Sequence, residues 1–306
     1  MSTKVSERTR RLAAIEALVC RDVGRKTADL ISANAGGLGE AARELAQATS
    51  VGLITGFFVP RGDVAAPETD GPVGTALLAA ALAACGVPAR IATDTPCADA
   101  VRAAVAATGV AVVVDEVAVA DRAALDGLIA DWRTASLSHA IAIERCGRSV
   151  DGKPRNMRGV DVSPWTAPLD DLFLGGPWKK LAVGDGGNEV GMGRLPAGLI
   201  ARTVPNGAEI ACATSCDHLT VAGVSNWGAY GLMAALAVLR PDWQPTIAKF
   251  LTAERDLAVT RAIVDKAGAV DGVTALREPT VDGFGPDVHG PLVDELGRIA
   301  WGQAAD

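Results

Sequence analysis

The sequence predicts an α/β fold in which a mostly parallel sheet carries helices on both faces, a Rossmann-like three-layer sandwich. Two observations predict it. Short apolar runs alternate with longer stretches of helical periodicity through most of the 306 residues. The runs are mostly apolar and do not alternate strictly with polar residues, as is typical of strands buried on both faces of a parallel sheet. Aromatic residues make up only 4% of the chain and apolar residues 49%, so small aliphatic side chains must build the core.

The individual elements follow from these periodicities. An amphipathic helix opens the chain, because Leu12, Ile15 and Val19 share one helical face. Further helices are predicted over residues 40–48, 72–85, 99–108, 122–134, 189–201, 227–239, 246–267 and 286–300. Strands are predicted over 51–57, 89–93, 110–114, 139–143, 180–183, 209–213 and 219–221, with a polar loop over 61–69. We predict one domain, residues 1–306, with an active-site segment at about 145–177, because so long an aperiodic stretch in a compact fold is usually functional.

Charge and cysteine content exclude several function classes. The formal net charge of −7 and the sequence pI near 5.1 argue against a basic nucleic-acid-binding face. The six cysteines form no C-x-x-C pair and the N-terminus lacks the apolar core of a signal peptide, so we expect free thiols and a cytoplasmic location. Glycine, proline or polar residues interrupt both long uncharged stretches, 71–89 and 218–239, so no membrane span is expected. The sequence is compatible with a homo-oligomer.

The most distinctive motif is the glycine-rich run from Gly184 to Gly193. It follows a predicted strand and precedes a predicted helix, where free backbone N–H groups favour an anion. Asp185, Asn188 and Glu189 add oxygen ligands of the kind that hold Mg²⁺ or a substrate ammonium. A structural turn needs the glycines but not the carboxylates. We therefore interpret the run as part of a site at the carboxyl ends of parallel strands.

Other polar motifs lie at strand ends, at helix starts and in the long segment. Glu144 ends a predicted strand and precedes Arg145 and Arg148, whose guanidinium groups suit bidentate carboxylate binding. A surface ion-pair cluster is the alternative. The remaining candidate substrate-binding residues are Thr55, Thr69, Asp70, Asn156, Arg158, Ser225 and Asn226. For those that precede or begin a helix, simple N-capping is the competing explanation.

Taken together, these motifs resemble the D-glutamate cyclase C-terminal domain family from about the first helix to near the C-terminus. The stretches that carry the resemblance are Thr55-Gly56-Phe57, Glu68-Thr69-Asp70-Gly71-Pro72, Glu144-Arg145-x-Gly147-Arg148, Asp151-Gly152, Asn156-Met157-Arg158-Gly159-x-Asp161, Gly184-Asp185-Gly186-Gly187-Asn188-Glu189-x-Gly191-Met192-Gly193 and Ser225-Asn226-Trp227-Gly228. The resemblance implies a hydro-lyase that interconverts D-glutamate and 5-oxo-D-proline with loss or gain of water. The expected partner is therefore a small acidic amino acid.

That chemistry needs a base for the α-amine, an acid or a divalent cation at the departing oxygen, and a clamp for the α-carboxylate. Glu144 or Glu189 is the expected base. Asp185, Asn188 and Glu189 would hold either a metal or the substrate ammonium. The candidate clamps are Arg145, Arg148 and Arg158. We expect no organic cofactor, and Mg²⁺ or Mn²⁺ held by Asp185 and Glu189 is the candidate metal.

Two rival functions stay open. The Gly184–Glu189 run is also similar to the Mg²⁺-binding stretch of haloacid-dehalogenase-type phosphatases. Those enzymes need an Asp-x-Asp nucleophile motif after an early strand, and neither Thr93-Asp94-Thr95 nor Asp115-Glu116-Val117 provides it. The second rival is a non-enzymatic protein that binds a small acidic amino acid.

Overall fold

The computed structural model describes residues 6–303. Its strands are β1 (Val51–Ile54), β2 (Phe58–Arg61), β3 (Val64–Pro67), β4 (Ala89–Asp94), β5 (Val113–Val117), β6 (His139–Ile143), β7 (Lys179–Gly184) and β8 (His218–Val221). Its helices are α1 (Glu7–Val19), α2 (Ala28–Ala33), α3 (Gly37–Leu45), α4 (Pro72–Ala84), α5 (Thr95–Thr108), α6 (Arg122–Thr134), α7 (Asp170–Leu174), α8 (Leu199–Thr203), α9 (Gly207–Ile210), α10 (Ser225–Leu239), α11 (Gln244–Ile247), α12 (Ala253–Ala267) and α13 (Pro286–Trp301). A 3₁₀ turn covers Ser163–Trp165.

Six strands form one parallel sheet in the order β5-β4-β1-β6-β7-β8, and β2 pairs with β3 in a separate antiparallel hairpin. The chain runs outward from β1 through β4 to β5, then crosses to β6 on the other side of β1. The strand order therefore reverses between β1 and β6, which pair with Ile54 opposite Ala142. In open parallel sheets, ligands bind outside the carboxyl ends of the strands beside such a reversal.

Apolar cores cover both faces of the sheet and give three layers. In β6, Ile141 and Ile143 belong to one core, while Ala140 and Ala142 belong to the other, as the alternation of a strand requires. The first core includes residues of α1, α3 to α5 and α10 to α13, and the second includes residues of α2 and α6 to α9. The predicted three-layer α/β fold is confirmed. Between residues 6 and 303, no helix is both long and apolar enough to cross a membrane.

Several predicted elements are wrong in kind or position. Most of the expected helix over 189–201 is irregular, because Gly191 adopts φ +102° and pairs with Ser215, and only α8 follows. The expected strand over 209–213 begins within the end of α9, and its last residues bond to loops rather than to the sheet. The predicted loop over 61–69 includes most of the β2–β3 hairpin. The predicted helix over 246–267 is divided into α11 and α12, and β5 starts three residues later than predicted.

Candidate functional site

A cavity of about 330 Å³ opens at the carboxyl ends of β1, β6 and β7, beside the reversal in strand order. Phe57 after β1, Glu144 after β6 and Asp185 after β7 line it. The other lining residues are Gly24, Arg25, Lys26, Phe58, Val59, Glu68, Asn156, Met157, Arg158, Asn188, Glu189, Pro205, Gly272, Val273 and Asp282. A wider groove of about 540 Å³ beside β5 has one charged lining residue, Arg102, which already pairs with Glu116. The first cavity is therefore the candidate site.

Glu144 lies at the end of β6 in this cavity. Its φ of +43° is in the left-handed region, which strains an L-residue and is enriched at functional sites. Its Oε2 accepts a 2.6 Å hydrogen bond from the hydroxyl of Ser225. Burial, followed by repulsion from Glu189 and Asp70, raises the pKa of Glu144 well above its usual range. A carboxyl group with a raised pKa can serve as an acid as well as a base.

Arg25 bridges two buried carboxylates of the cavity. Its Nη1 lies 2.6 Å from Oδ1 of Asp185, and its Nη2 pairs with Oδ1 of Asp282. The second oxygen of each carboxylate, Oδ2, is buried and has no hydrogen-bond partner among residues 6–303. Burial raises the pKa of Asp185 well above its usual range, although Arg25 opposes this effect. A cation or a proton at either of these oxygens would relieve its unfavourable burial.

The glycine-rich run does not offer its N–H groups to a ligand as the sequence led us to expect. Oε1 of Glu189 accepts from the N–H groups of Asp185 and Gly186 at 3.1 and 2.6 Å. Oε2 accepts from Gly187 at 2.7 Å. The run therefore folds around its own carboxylate, which fills the predicted anion position. Both oxygens of Glu189 are therefore engaged by the backbone of its own loop.

Asp70 and Asn226 cap each other's helices beneath the cavity. Asp70 accepts hydrogen bonds from the N–H groups of Ser225 and Asn226, the first two residues of α10, at 2.9 and 2.8 Å. Oδ1 of Asn226 accepts from Gly71 and Gly74 at the start of α4, at 3.0 and 2.8 Å. The capping explanation thus applies to Asp70 and Asn226, with the partners exchanged between the two helices. Asp70, Ser225 and Asn226 are buried and do not line the cavity.

Thr55 and Thr69 are buried outside the cavity lining. Oγ1 of Thr69 donates to the carbonyl of Thr280 at 2.8 Å, and Oγ1 of Thr55 has no partner in the described part of the chain. Gly71 adopts φ +92°, and a Cβ atom there would lie 2.7 Å from Cβ of Glu144 and 2.8 Å from Oγ1 of Thr55. Glycine is therefore required where the chain approaches the ends of β1 and β6 before α4.

Arg145 and Arg148 are tied to the protein itself. Arg145 is 1% exposed, and its guanidinium lies 2.6 Å from Asp94 and donates to the carbonyls of Gly56 and Ala167. Arg148 pairs with Asp171 at 2.8 Å. Neither arginine lines the cavity. Their positions give no support to the predicted role as carboxylate clamps.

Exposed cations stand at the rim of the cavity, above the buried carboxylates. Arg158 and Lys26 line it, are exposed, and form no ion pair within the described range. Oδ1 of Asn156 accepts from the N–H groups two and four residues later, at 3.0 and 3.1 Å, which shapes the loop that carries Arg158. Asn188 donates to the carbonyl of Arg155 at 2.8 Å and holds the same loop. The cavity therefore pairs a basic rim with an acidic floor.

Sequence reasoning missed Arg25, Lys26 and Asp282, and assigned no role to Glu68. Arg25 and Lys26 precede the first strand and Asp282 precedes the last helix, so a search of strand ends does not reach them. Asp282 followed by glycine indicates only a turn. The left-handed φ values of Lys26 and Asp282, +63° and +57°, are visible only in the structure.

Two groups of buried carboxylates could each hold a metal ion. Asp70, Asp185 and Asp282 form one, and Glu144, Asp185 and Glu189 form the other. Within each group, one oxygen from each residue lies within 4.8 Å of the others. Burial, and then the nearby Asp282, raises the pKa of Asp70 to about 8. Such oxygen-only ligand sets suit Mg²⁺ or Mn²⁺.

Comparison with known proteins agrees with the resemblance of the motifs. The sequence profile of the family described as D-glutamate cyclase-like, C-terminal, matches residues 15–297. Mitochondrial D-glutamate cyclase of Homo sapiens is 35% identical to this chain over 215 residues, which are 65% of this chain and 34% of that protein. The similarity thus spans about a third of the length of the human relative. Because the family profile matches most of the length of this chain, the chain belongs to the D-glutamate cyclase-like, C-terminal family.

Proposed function

We propose that the chain interconverts D-glutamate and 5-oxo-D-proline with release or uptake of water, as a carbon–oxygen lyase of the hydro-lyase type. The observation that carries the proposal is the polarity of the cavity, with buried carboxylates at the floor and two exposed cations at the rim. A substrate with one ammonium and two carboxylate groups is complementary to it. The family and the name of the human relative support the same reaction.

In this proposal, the acidic floor binds the ammonium group and the rim binds the carboxylates. Glu144 and Asp185 are the floor residues that follow neighbouring strands, so the ammonium would lie between them. Arg158 and Lys26 would each bind one carboxylate, and the fork of Arg158 suits a bidentate contact. Binding three groups in fixed positions around the α-carbon distinguishes D- from L-glutamate.

Ring closure forms a C–N bond to the side-chain carboxyl carbon and breaks a C–O bond. Two protons leave the nitrogen and two arrive on the departing oxygen, which leaves as water. We assign these transfers to Glu144, which takes the two protons from the nitrogen one after the other and passes each to the departing oxygen. A bound divalent cation would supply a Lewis acid at that oxygen. No electrons are transferred, so the reaction needs no organic redox cofactor.

The direct test is incubation of the purified protein with D-glutamate, L-glutamate and both enantiomers of 5-oxoproline, with Mg²⁺ or Mn²⁺ present, followed by chiral chromatography. We expect conversion of the D-enantiomers only. No conversion over hours at high protein concentration would reject the reaction. Binding of D-glutamate without turnover would favour the binding-protein rival, and phosphate release from a phosphomonoester would favour the phosphatase rival. The cytoplasmic location remains our prediction and can be checked by cell fractionation.

The role of Glu144 is tested by Glu144→Gln, which keeps the shape of the side chain and removes its proton transfer. We expect kcat to fall by roughly 10²-fold or more, on the scale of general acid–base catalysis. Glu116→Gln is the matched control, because Glu116 lies on β5 and pairs with Arg102 outside the cavity. Unchanged kcat in a folded Glu144→Gln variant would remove Glu144 from the chemistry.

A further inference from the structure

We propose that Asp70, Asp185 and Asp282 bind one divalent cation, Mg²⁺ or Mn²⁺, beside the guanidinium of Arg25. One oxygen from each carboxylate lies within 4.8 Å of the other two. Oxygen ligands at about 2.1 Å from Mg²⁺ lie at most about 4.2 Å apart. The three side chains therefore need only a small contraction to share one ion.

In two of the three carboxylates, one oxygen accepts no hydrogen bond from the described part of the protein. Oδ2 of Asp185 and Oδ2 of Asp282 are buried and have no hydrogen-bond partner within residues 6–303. Their Oδ1 atoms are occupied by Arg25, which fixes both side chains. Asp70 is fixed by backbone N–H groups at the start of α10. The ligands are therefore held in place before an ion arrives, as a specific metal site requires.

The charge of the group fits a dication. With all three carboxyl groups ionised, as metal ligands are, they and one guanidinium leave two negative charges, which one divalent cation balances. Glu144 and Glu68 are also buried nearby, so the surroundings add no positive charge at the floor. The other cations that line the cavity, Lys26 and Arg158, are exposed at its rim. A single ammonium group would leave the group negatively charged.

The second acidic group, with Glu144 and Glu189, is less suited to a metal. Within residues 6–303 it contains one buried carboxylate oxygen without a hydrogen-bond partner, Oδ2 of Asp185, whereas the first group contains two, Oδ2 of Asp185 and of Asp282. This assignment therefore replaces Glu189 with Asp70 and Asp282 as the partners of Asp185. Binding of the ion is independent of the proposed reaction, whereas its use at the departing oxygen rests on the proposed function.

The test uses the full chain, treated with EDTA and dialysed, with MnCl₂ as the probe and no amino acid present. Loss of the free Mn²⁺ signal in electron paramagnetic resonance gives the number of sites and the affinity, and competition with Mg²⁺ follows. We expect one saturable site, and we expect Asp282→Asn to weaken Mn²⁺ binding by at least tenfold. Asp256→Asn is the matched control, because Asp256 is buried against Tyr230 and belongs to neither acidic group.

The proposed metal site is rejected if the wild type shows no saturable binding of Mn²⁺ up to about 1 mM, which is on the order of the Kd of the weakest metal sites in proteins. It would also do so if Asp282→Asn binds Mn²⁺ as tightly as Asp256→Asn. Circular dichroism checks that each variant is folded, and Asp185→Asn replaces Asp282→Asn if that variant is not. Because no substrate is used, Mn²⁺ binding without turnover of D-glutamate rejects the proposed function and keeps the metal site.

Discussion

Replacing Asn226 by alanine tests whether the exchanged caps hold the floor of the site together. The side chain accepts the N–H of Gly74 at 2.8 Å and donates to the carbonyl of Thr69 at 3.2 Å. In Asn226→Ala, these two buried groups lose that partner. Each unsatisfied group costs about 1–3 kcal/mol, so we expect the free energy of unfolding to fall by roughly 3 kcal/mol. Gly71 is affected less, because its N–H also contacts Asp70.

Urea denaturation followed by circular dichroism and by tryptophan fluorescence measures the loss, and the two probes check that unfolding has two states. Ser6→Ala is the control. Ser6 caps α1 by accepting the N–H of Thr9 at 3.2 Å, but in an exposed position where water can replace it. We expect that variant to lose about 1 kcal/mol or less. Equal losses in Asn226→Ala and Ser6→Ala would refute the structural role of the exchanged caps.

Three further predictions follow from the burial of charged groups and thiols. Arg145→Met should lower the free energy of unfolding by about 3–5 kcal/mol, because it leaves the buried Asp94 without its ion-pair partner. Arg148→Met breaks a more exposed ion pair and should lower it by at most about 1 kcal/mol. Similar losses of the two variants in urea denaturation would contradict this prediction. Burial raises the pKa of Asp256, so the native state binds its proton more tightly than the unfolded state does, and the contribution of Asp256 to stability should fall as pH rises above about 4. Asp256→Asn should therefore gain stability relative to wild type at pH 8 compared with pH 4, and an equal difference at both pH values would reject the shift. Burial raises the pKa of Cys85 to about 11, so iodoacetamide at pH 8 should label it slowly in the native protein and quickly after unfolding, as mass spectrometry can show.

The candidate site was predictable only where residues follow strands. Glu144 and Asp185 directly follow β6 and β7, and a parallel sheet brings such positions to one edge. Asn156, Arg158, Asn188 and Glu189 lie close to them along the chain and also line the cavity. The sequence could not show that the glycine-rich run encloses Glu189, because that contact depends on the path of the irregular backbone over 185–198.

The arginines also show that the sequence alone does not determine which partner a side chain contacts. Arg145 and Arg25 are equally suited by type to bind a carboxylate, and the position of Arg145 directly after Glu144 favoured it. In the structure, Arg145 is directed to Asp94 and to backbone carbonyls, while Arg25 reaches Asp185 across a sequence separation of 160 residues. Residue type indicates which partners a side chain can bind, but the packing of distant segments determines which partner it meets.

By itself, the sequence determined the class of fold and the family, and it predicted the edge of the sheet where the candidate site lies. These depend on local apolar periodicity and on motifs of consecutive residues, which are properties of short stretches of chain. Only the tertiary structure decided that Asp70 and Asn226 cap each other's helices and that Arg25, Asp185 and Asp282 form one buried group. Those contacts join residues that are far apart in sequence, and burial then changes the cost of their charges. Neither effect is encoded in the spacing of residues along the chain.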